Sequence, residues 1–274
     1  MAGGQGDAKV EVFDAEEDVA VALAKYIARL SDVHTKGKGV FTVVLSGGTL
    51  IDTMRKLVEP PYLDTIDWSK WHVFWLDERV VHKTDPLSNY KLAYDGFLSK
   101  FIGLLEAEPN YFISLLFYLV AIPPNNVYAI NDTLPAPEDA ADDYEACLKS
   151  LVEKKVLELS QASSFPKFDL MLLGMGPDGH VASLFPRHPL LEEKNRWVTY
   201  IKDSPKMPPE RITFTFPVIN SSAYIALVVT GADLAKAVHI ALGNHEPSDV
   251  LPVQMVSPEG ELTWFLDKPA ASKI

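Results

Sequence analysis

His180 and Asp178 are the two side chains in this sequence best placed to do chemistry together. They stand two residues apart in the stretch GMGPDGH at 174–180. A neutral imidazole takes up a proton near pH 7, and a nearby carboxylate can orient it, which is the pairing a general base requires. The alternative for a single histidine is a helix-capping role. Three glycines and a proline around it favour function, because they form a tight loop that lets a ligand approach the backbone. The letters Gly174-Met175-Gly176-Pro177-Asp178-Gly179 also match G-x-G-x-x-G. A dinucleotide site is rejected, since Pro186 and Pro189 prevent the long helix that should follow and Asp178 would set a negative charge against a pyrophosphate.

Ser46-Gly47-Gly48-Thr49 stands where an apolar run passes into a helical pattern. Its backbone N–H groups, two hydroxyls and the helix dipole could converge on a phosphate, or the glycines could serve a plain strand-to-helix turn. Three cations complete the candidate set: Arg79 after Asp77-Glu78, Arg211 just before a strand, and Lys236 in the first turns of a helix. A phosphate bound by an acidic protein needs such a local cluster. The remaining histidines, at 34, 72, 82, 188, 239 and 245, show no ligand spacing, and no metal is expected.

These residues need elements to position them. Residues 168–173 form a short apolar run without polar alternation, the pattern of a strand buried on both faces in a parallel sheet. Further strands are expected at 9–13, 41–45, 71–76, 127–130, 197–201, 212–216 and 222–229, with a late edge strand at 263–266. Helices are expected from an Asp14 cap with Glu17 at the capping-box position to about Leu30, from Ser88 to about Lys100, over 138–159, briefly over 181–184, and over 232–242. Alternation of strand and helix gives an α/β fold with a mostly parallel sheet, whose carboxyl edge is where ligands bind.

The chain has 274 residues, 47% hydrophobic and 23% charged, enough for one sizeable core. We expect a flexible tail over 1–8, one α/β domain over 9–268 and a short tail over 269–274. A formal net charge of −12 argues against a nucleic-acid or membrane partner but leaves room for a small anionic substrate. The single Cys147 excludes an intramolecular disulfide and suits a reducing compartment. The amino-terminal MAGGQGDAKV lacks the apolar stretch of a secretory signal.

Taken in order, LSGGTL at 45–50, DERVV at 77–81 with SNY at 88–90, LLGMGPDGHVASLFP at 172–186, PPERITFTFPVIN at 208–220 and VTGADLAKA at 229–237 resemble the 6-phosphogluconolactonases, particularly those of plants, over nearly the whole chain. The resemblance implies a Rossmann-like three-layer α/β/α fold shared with glucosamine-6-phosphate deaminases. It implies hydrolysis of 6-phosphoglucono-δ-lactone to 6-phosphogluconate in the oxidative pentose phosphate pathway, without metal or cofactor. Carried over by position, His180 is the base that activates water and Asp178 its neighbour, while Ser46, Gly47, Gly48, Thr49, Arg79, Arg211 and Lys236 belong to the phosphate or the substrate mouth. Lys236 follows a slightly divergent Asp233-Leu234-Ala235.

In the deaminases the segment after the histidine resembles GHIAFNEP, with a glutamate before the proline. This chain has Phe185 there, which cannot transfer a proton. A non-catalytic sugar-phosphate sensor is the second alternative, opposed by the retained His180 and Asp178. The chain departs from its relatives at 101–121, about twenty largely apolar residues expected to form an added surface element. It ends in Ser272-Lys273-Ile274, one residue from a peroxisomal signal, so a cytoplasmic protein with some peroxisomal import is expected.

Overall fold

The computed structural model describes residues 8–99, 120–243 and 250–274. In chain order the strands are β1 (Lys9–Phe13), β2 (Phe41–Leu45), β3 (Trp71–Trp75), β4 (Asp77–Arg79), β5 (Val127–Tyr128), β6 (Glu158–Leu159), β7 (Pro166–Lys167), β8 (Leu170–Leu173), β9 (Val198–Ile201), β10 (Arg211–Phe214), β11 (Tyr224–Val229) and β12 (Glu261–Asp267). The α-helices are α1 (Glu16–Lys38), α2 (Thr49–Thr53), α3 (Tyr62–Thr65), α4 (Asn89–Ala93), α5 (Pro137–Glu153), α6 (Phe216–Asn220) and α7 (Ala235–Leu242).

Seven strands form one sheet in the order β1-β12-β11-β8-β2-β3-β5. Every neighbouring pair in it is parallel. The missing polar alternation in β8 has a direct cause. Leu170 and Leu172 point into an apolar cluster with Leu23, Ile27, Phe41 and Trp71, whereas Met171 and Leu173 point into a second one with Tyr144, Leu148, Phe214 and Val238. Helices cover both faces, giving the three-layer α/β/α arrangement expected. β12 is not the edge strand predicted. It lies between β1 and β11, all but one of its residues are buried, and β1 takes the edge.

The helix boundaries move for local reasons. The cap of α1 is Ala15 rather than Asp14, with the Ala15 N–H donating to Asp18 Oδ2 at 3.2 Å. The helix then runs past Leu30 to Lys38, where Gly39 at φ 80° ends it. α5 stops at Glu153, and Lys155 at φ 59° turns the chain into the β6–β7 hairpin, so no helix reaches 159. Strands β4, β10 and β9 form a separate antiparallel sheet in that order, with β10 paired to both of the others. Of the expected insertion at 101–121, residues 101–119 lie outside the described residues. Val120 is buried in the apolar cluster that also holds Trp68 and Phe97.

At the amino ends of the central strands, Asp169 ties three elements together. Its Oδ2 accepts from the Thr42 N–H at 2.8 Å and the Thr42 hydroxyl at 2.9 Å. Its Oδ1 meets Lys38 Nζ at 2.7 Å and His34 Nδ1 at 3.2 Å. Burial holds the His34 imidazole below its ordinary pKa, so Lys38 is the charged partner at neutral pH. Asp169→Ala leaves Thr42 and Lys38 without their acceptor and is expected to destabilise the fold by about 3 kcal/mol in urea unfolding. The kcat/KM of the folded fraction should be unchanged, because the site described next lies at the opposite ends of the strands.

Candidate active site

The two central strands of the sheet, β2 and β8, are where the chain order reverses. From β2 the chain proceeds through β3 to β5 on one side, and from β8 through β11 to β12 on the other. Loops leaving two such strands diverge and open a crevice at their carboxyl ends. A cavity of about 400 Å³ occupies that place, lined by residues of the loops after both strands together with Asp77, Arg79, Asn89, Lys206, Met207, Arg211, Val228 and Leu234.

The loop after β8 closes on itself. The Gly176 N–H donates to the His180 carbonyl at 3.0 Å, and the Gly179 N–H to the Gly176 carbonyl at 2.9 Å, with Gly179 at φ 78°. This turn places His180 Nδ1 2.5 Å from Asp178 Oδ1. The hydrogen bond from the imidazole holds the Asp178 carboxyl down at about 2. With Nδ1 engaged, Nε2 is the ring nitrogen left for chemistry, and His180 lines the cavity while Asp178 stands behind it. Phe185 packs on the imidazole at 4.8 Å between ring centroids. No helix follows at 181–184. Val181 and Leu184 instead form a β-bridge around Ala182 at φ 52°, and Ser183 binds outward, its N–H to Thr213 and its hydroxyl to Asp77 at 2.7 Å. Neighbouring strands thus take the polar groups that a helix would have used internally.

Two of the expected cations meet, for a reason hidden in the sequence. β4 and β10 pair so that Arg79 stands directly opposite Arg211. Like charges in that register repel and need a counter-anion. Asp77, also on the cavity wall, supplies part of it and draws the Arg211 guanidinium, which burial otherwise pushes to a lower pKa. Arg211 is only 3% exposed, and most of its donors are committed. Nε donates to the Pro208 carbonyl at 2.9 Å, and Nη2 to the carbonyls of Lys206 at 2.7 Å and Met207 at 3.1 Å. It therefore clamps the 206–208 loop, and that loop carries an exposed Lys206 to the cavity. Lys236 is exposed and does not line the cavity, whereas Leu234 does.

Ser46, Gly47, Gly48 and Thr49 all line the cavity, as expected. The helix dipole contributes little, since α2 has five residues; the loop's backbone and hydroxyls must do the work. Gly47 is glycine because a Cβ there would sit 2.0 Å from Asn89 Oδ1. Asn89 is itself fixed by its Nδ2 donating to the Asp77 carbonyl at 2.9 Å. Asn89, Lys206 and the wall position of Asp77 were not singled out from sequence. Asn89 read as part of a helix start and of the SNY motif at 88–90 without a role of its own, and Lys206 as one residue in a proline-rich loop. Burial pushes the Glu78 carboxyl, just behind Arg79, up to about 7 against the pull of its backbone N–H partners.

The chain as a whole is similar to known proteins. Residues 14–264 match the family described as glucosamine-6-phosphate isomerases/6-phosphogluconolactonase. A rice (Oryza sativa) protein named probable 6-phosphogluconolactonase 4, chloroplastic, is 62% identical over 97% of this chain and 76% of its own length. The Arabidopsis thaliana 6-phosphogluconolactonase 3, chloroplastic, is 58% identical over 97% of this chain and 75% of its own. The crystal structure of 6-phosphogluconolactonase from Thermotoga maritima superposes with a TM-score of 0.73 at 26% identity, covering 96% of this chain and all of that one.

The plant names overturn the cytoplasmic and peroxisomal address, since they are chloroplastic and point to the plastid. A reducing, disulfide-free composition does not separate the two compartments.

The loop geometry makes one substitution decisive. A Cβ on Gly176 would lie 2.0 Å from His180 Cε1 and 2.7 Å from Asp178 Oδ1. Gly176→Ala must displace the imidazole, and kcat is expected to fall by about 10²-fold or more with the melting temperature changed little. Activity near the unsubstituted level would place the reacting group elsewhere.

Proposed function

This chain belongs to the glucosamine-6-phosphate isomerase/6-phosphogluconolactonase family, and we propose that within it the protein is the lactonase, hydrolysing 6-phospho-D-glucono-1,5-lactone to 6-phospho-D-gluconate in the plastid. The observation that carries this choice is Phe185 against the His180 ring. An amino-sugar isomerisation moves protons between carbons and needs a further acid–base group beside the histidine. Lactone hydrolysis does not. Asp77 is held by Ser183 and Asn89 beside Arg211, whose charge it offsets.

In this reading one α/β unit over 9–268 presents the lactone carbonyl to His180. Nε2 takes a proton from water as its oxygen bonds to C1, and the carbonyl electrons move to oxygen, where N–H donors of the loop stabilise the oxyanion. Collapse of the adduct breaks the bond from C1 to the ring oxygen. The imidazolium returns its proton to that oxygen, giving an open hydroxy acid. Asp178 keeps Nδ1 protonated and stabilises the transient cation. The Ser46–Thr49 loop, Arg79, Lys206 and the Nη1 edge of Arg211 hold the phosphate. Lys236 takes no part.

The sign of the Asp178 effect is set by its depressed pKa. Its ionised form contributes stability above its ordinary value of 3.8, and this is lost as pH falls toward about 2. The carboxylate is thus charged wherever an imidazole titrates, and an acid limb in the rate profile between pH 5 and 8 does not belong to Asp178.

The test is a coupled assay with freshly generated lactone, corrected for spontaneous hydrolysis. His180→Ala is expected to lower kcat by about 10²- to 10⁴-fold with the fold intact. Lys206→Ala should raise KM by roughly three- to tenfold, the modest size reflecting an exposed lysine, whereas Lys236→Ala should leave KM unchanged. Ammonia release from glucosamine 6-phosphate would support a deaminase instead, and tight ligand binding without turnover a sensor.

A further inference from the structure

Glu78 is only 1% exposed and is absent from the cavity wall, yet residues that line the wall hang from it. Its Oε1 accepts from the Arg79 N–H and the Asn89 N–H, each at 2.7 Å. Its Oε2 accepts from the Tyr90 N–H at 2.7 Å and from the Ser88 hydroxyl at 3.3 Å. Two of these donors are the first N–H groups of α4, which have no partner inside the helix. The third N–H belongs to β4. One carboxylate therefore joins the strand that carries Arg79 to the helix that carries Asn89, across a connection of nine residues, 80–88.

We propose that Glu78 is a positioning residue for the phosphate end of the substrate: its carboxylate sets the backbone of Arg79 and Asn89, and through Asn89 the Gly47 turn, in the arrangement that binds the anion. This rests on the lactonase reading above for its substrate, though not for its geometry.

Three observations support it. Asn89 touches the Ser46–Thr49 loop so closely that a Cβ on Gly47 would push its side chain aside, so a shift of the α4 start is felt directly in that loop. Arg79 depends on the same anchorage, because among the described residues its guanidinium finds a hydrogen-bond partner only for Nη1, the Leu87 carbonyl, within the 80–88 connection itself. Finally, a carboxylate is the one side chain that satisfies all four donors. A glutamine in its place turns an NH₂ group toward at least one N–H and breaks that hydrogen bond. The four partners of Glu78 all lie in 79–90, so the base and its carboxylate in the 174–180 loop are outside its direct influence.

The decisive variant is Glu78→Gln. Its KM for the phosphorylated lactone is expected to rise by about tenfold or more, the size of one charge-assisted hydrogen bond removed, while kcat stays within about threefold. Removing a nearby negative charge would by itself favour an anion, so a lowered KM overturns the proposal. An unchanged KM overturns it too, as does a fall in kcat with KM intact, the pattern of general damage.

Inorganic phosphate binding, measured by calorimetry at pH 8, needs no turnover. It separates failure of the positioning role from failure of the lactonase reading, and the same loss of affinity in Glu78→Gln is expected there. Hydrogen exchange on the unaltered protein supplies a reading that survives a variant that does not fold. The amides of Arg79, Asn89 and Tyr90 should exchange slowly and alike, and exchange at the rate of an open loop contradicts the proposal.

Discussion

A sheet covered on both faces leaves no room for polar chemistry except at the ends of its strands. In β8 and β2 every side chain is buried, alternately to one helical layer and the other. The backbone of such strands is satisfied by its neighbours, and any polar function must be carried by the residues that follow them. Reversal of strand order between β2 and β8 then selects one pair of ends, because only there do the loops part. Ser46 and His180 reach the same crevice for this reason, despite the distance between them in the chain.

The crevice also resolves a conflict of charge. An acidic protein of net charge −12 gathers Arg79, Arg211 and Lys206 around one cavity, with the two arginines opposed across a strand pair. Such a cluster of cations favours an anion over a neutral ligand, and it supports the proposed placement of the substrate phosphate there. Burial of Arg211 adds a second role. Its guanidinium spends three bonds on the carbonyls of the 206–208 loop, so one side chain both shapes the rim and contributes to the field.

Much of this was legible in the sequence, and the limits follow from physics. Uninterrupted apolar runs named the central strands because double burial removes polar alternation. The glycines at 174–179 marked the loop that carries His180 to the cavity, because a turn that tight lets a ligand approach the backbone. Pairings between distant segments were not legible. Nothing local in Arg79 or Arg211 says they share a register, Lys206 carries no pattern at all, and Lys236 was placed at the site on the strength of its neighbours in the chain. The short helix expected after His180 failed because Ser183 finds partners on other strands, a tertiary choice that propensity does not see. β12 read as an edge strand because its true neighbour, β1, stands at the far end of the chain.

The account turns on the orientation of one imidazole, with Nδ1 protonated toward Asp178 and Nε2 bare toward the cavity. Nitrogen-15 NMR of the resting protein with labelled histidine reads this directly. The His180 signals of the neutral imidazole, assigned by their loss in a substituted protein, are expected to show Nδ1 carrying the proton and Nε2 as an unprotonated acceptor. A proton on Nε2 with Nδ1 bare would mean that Asp178 does not set the tautomer, and His180 could not then be the base that activates water.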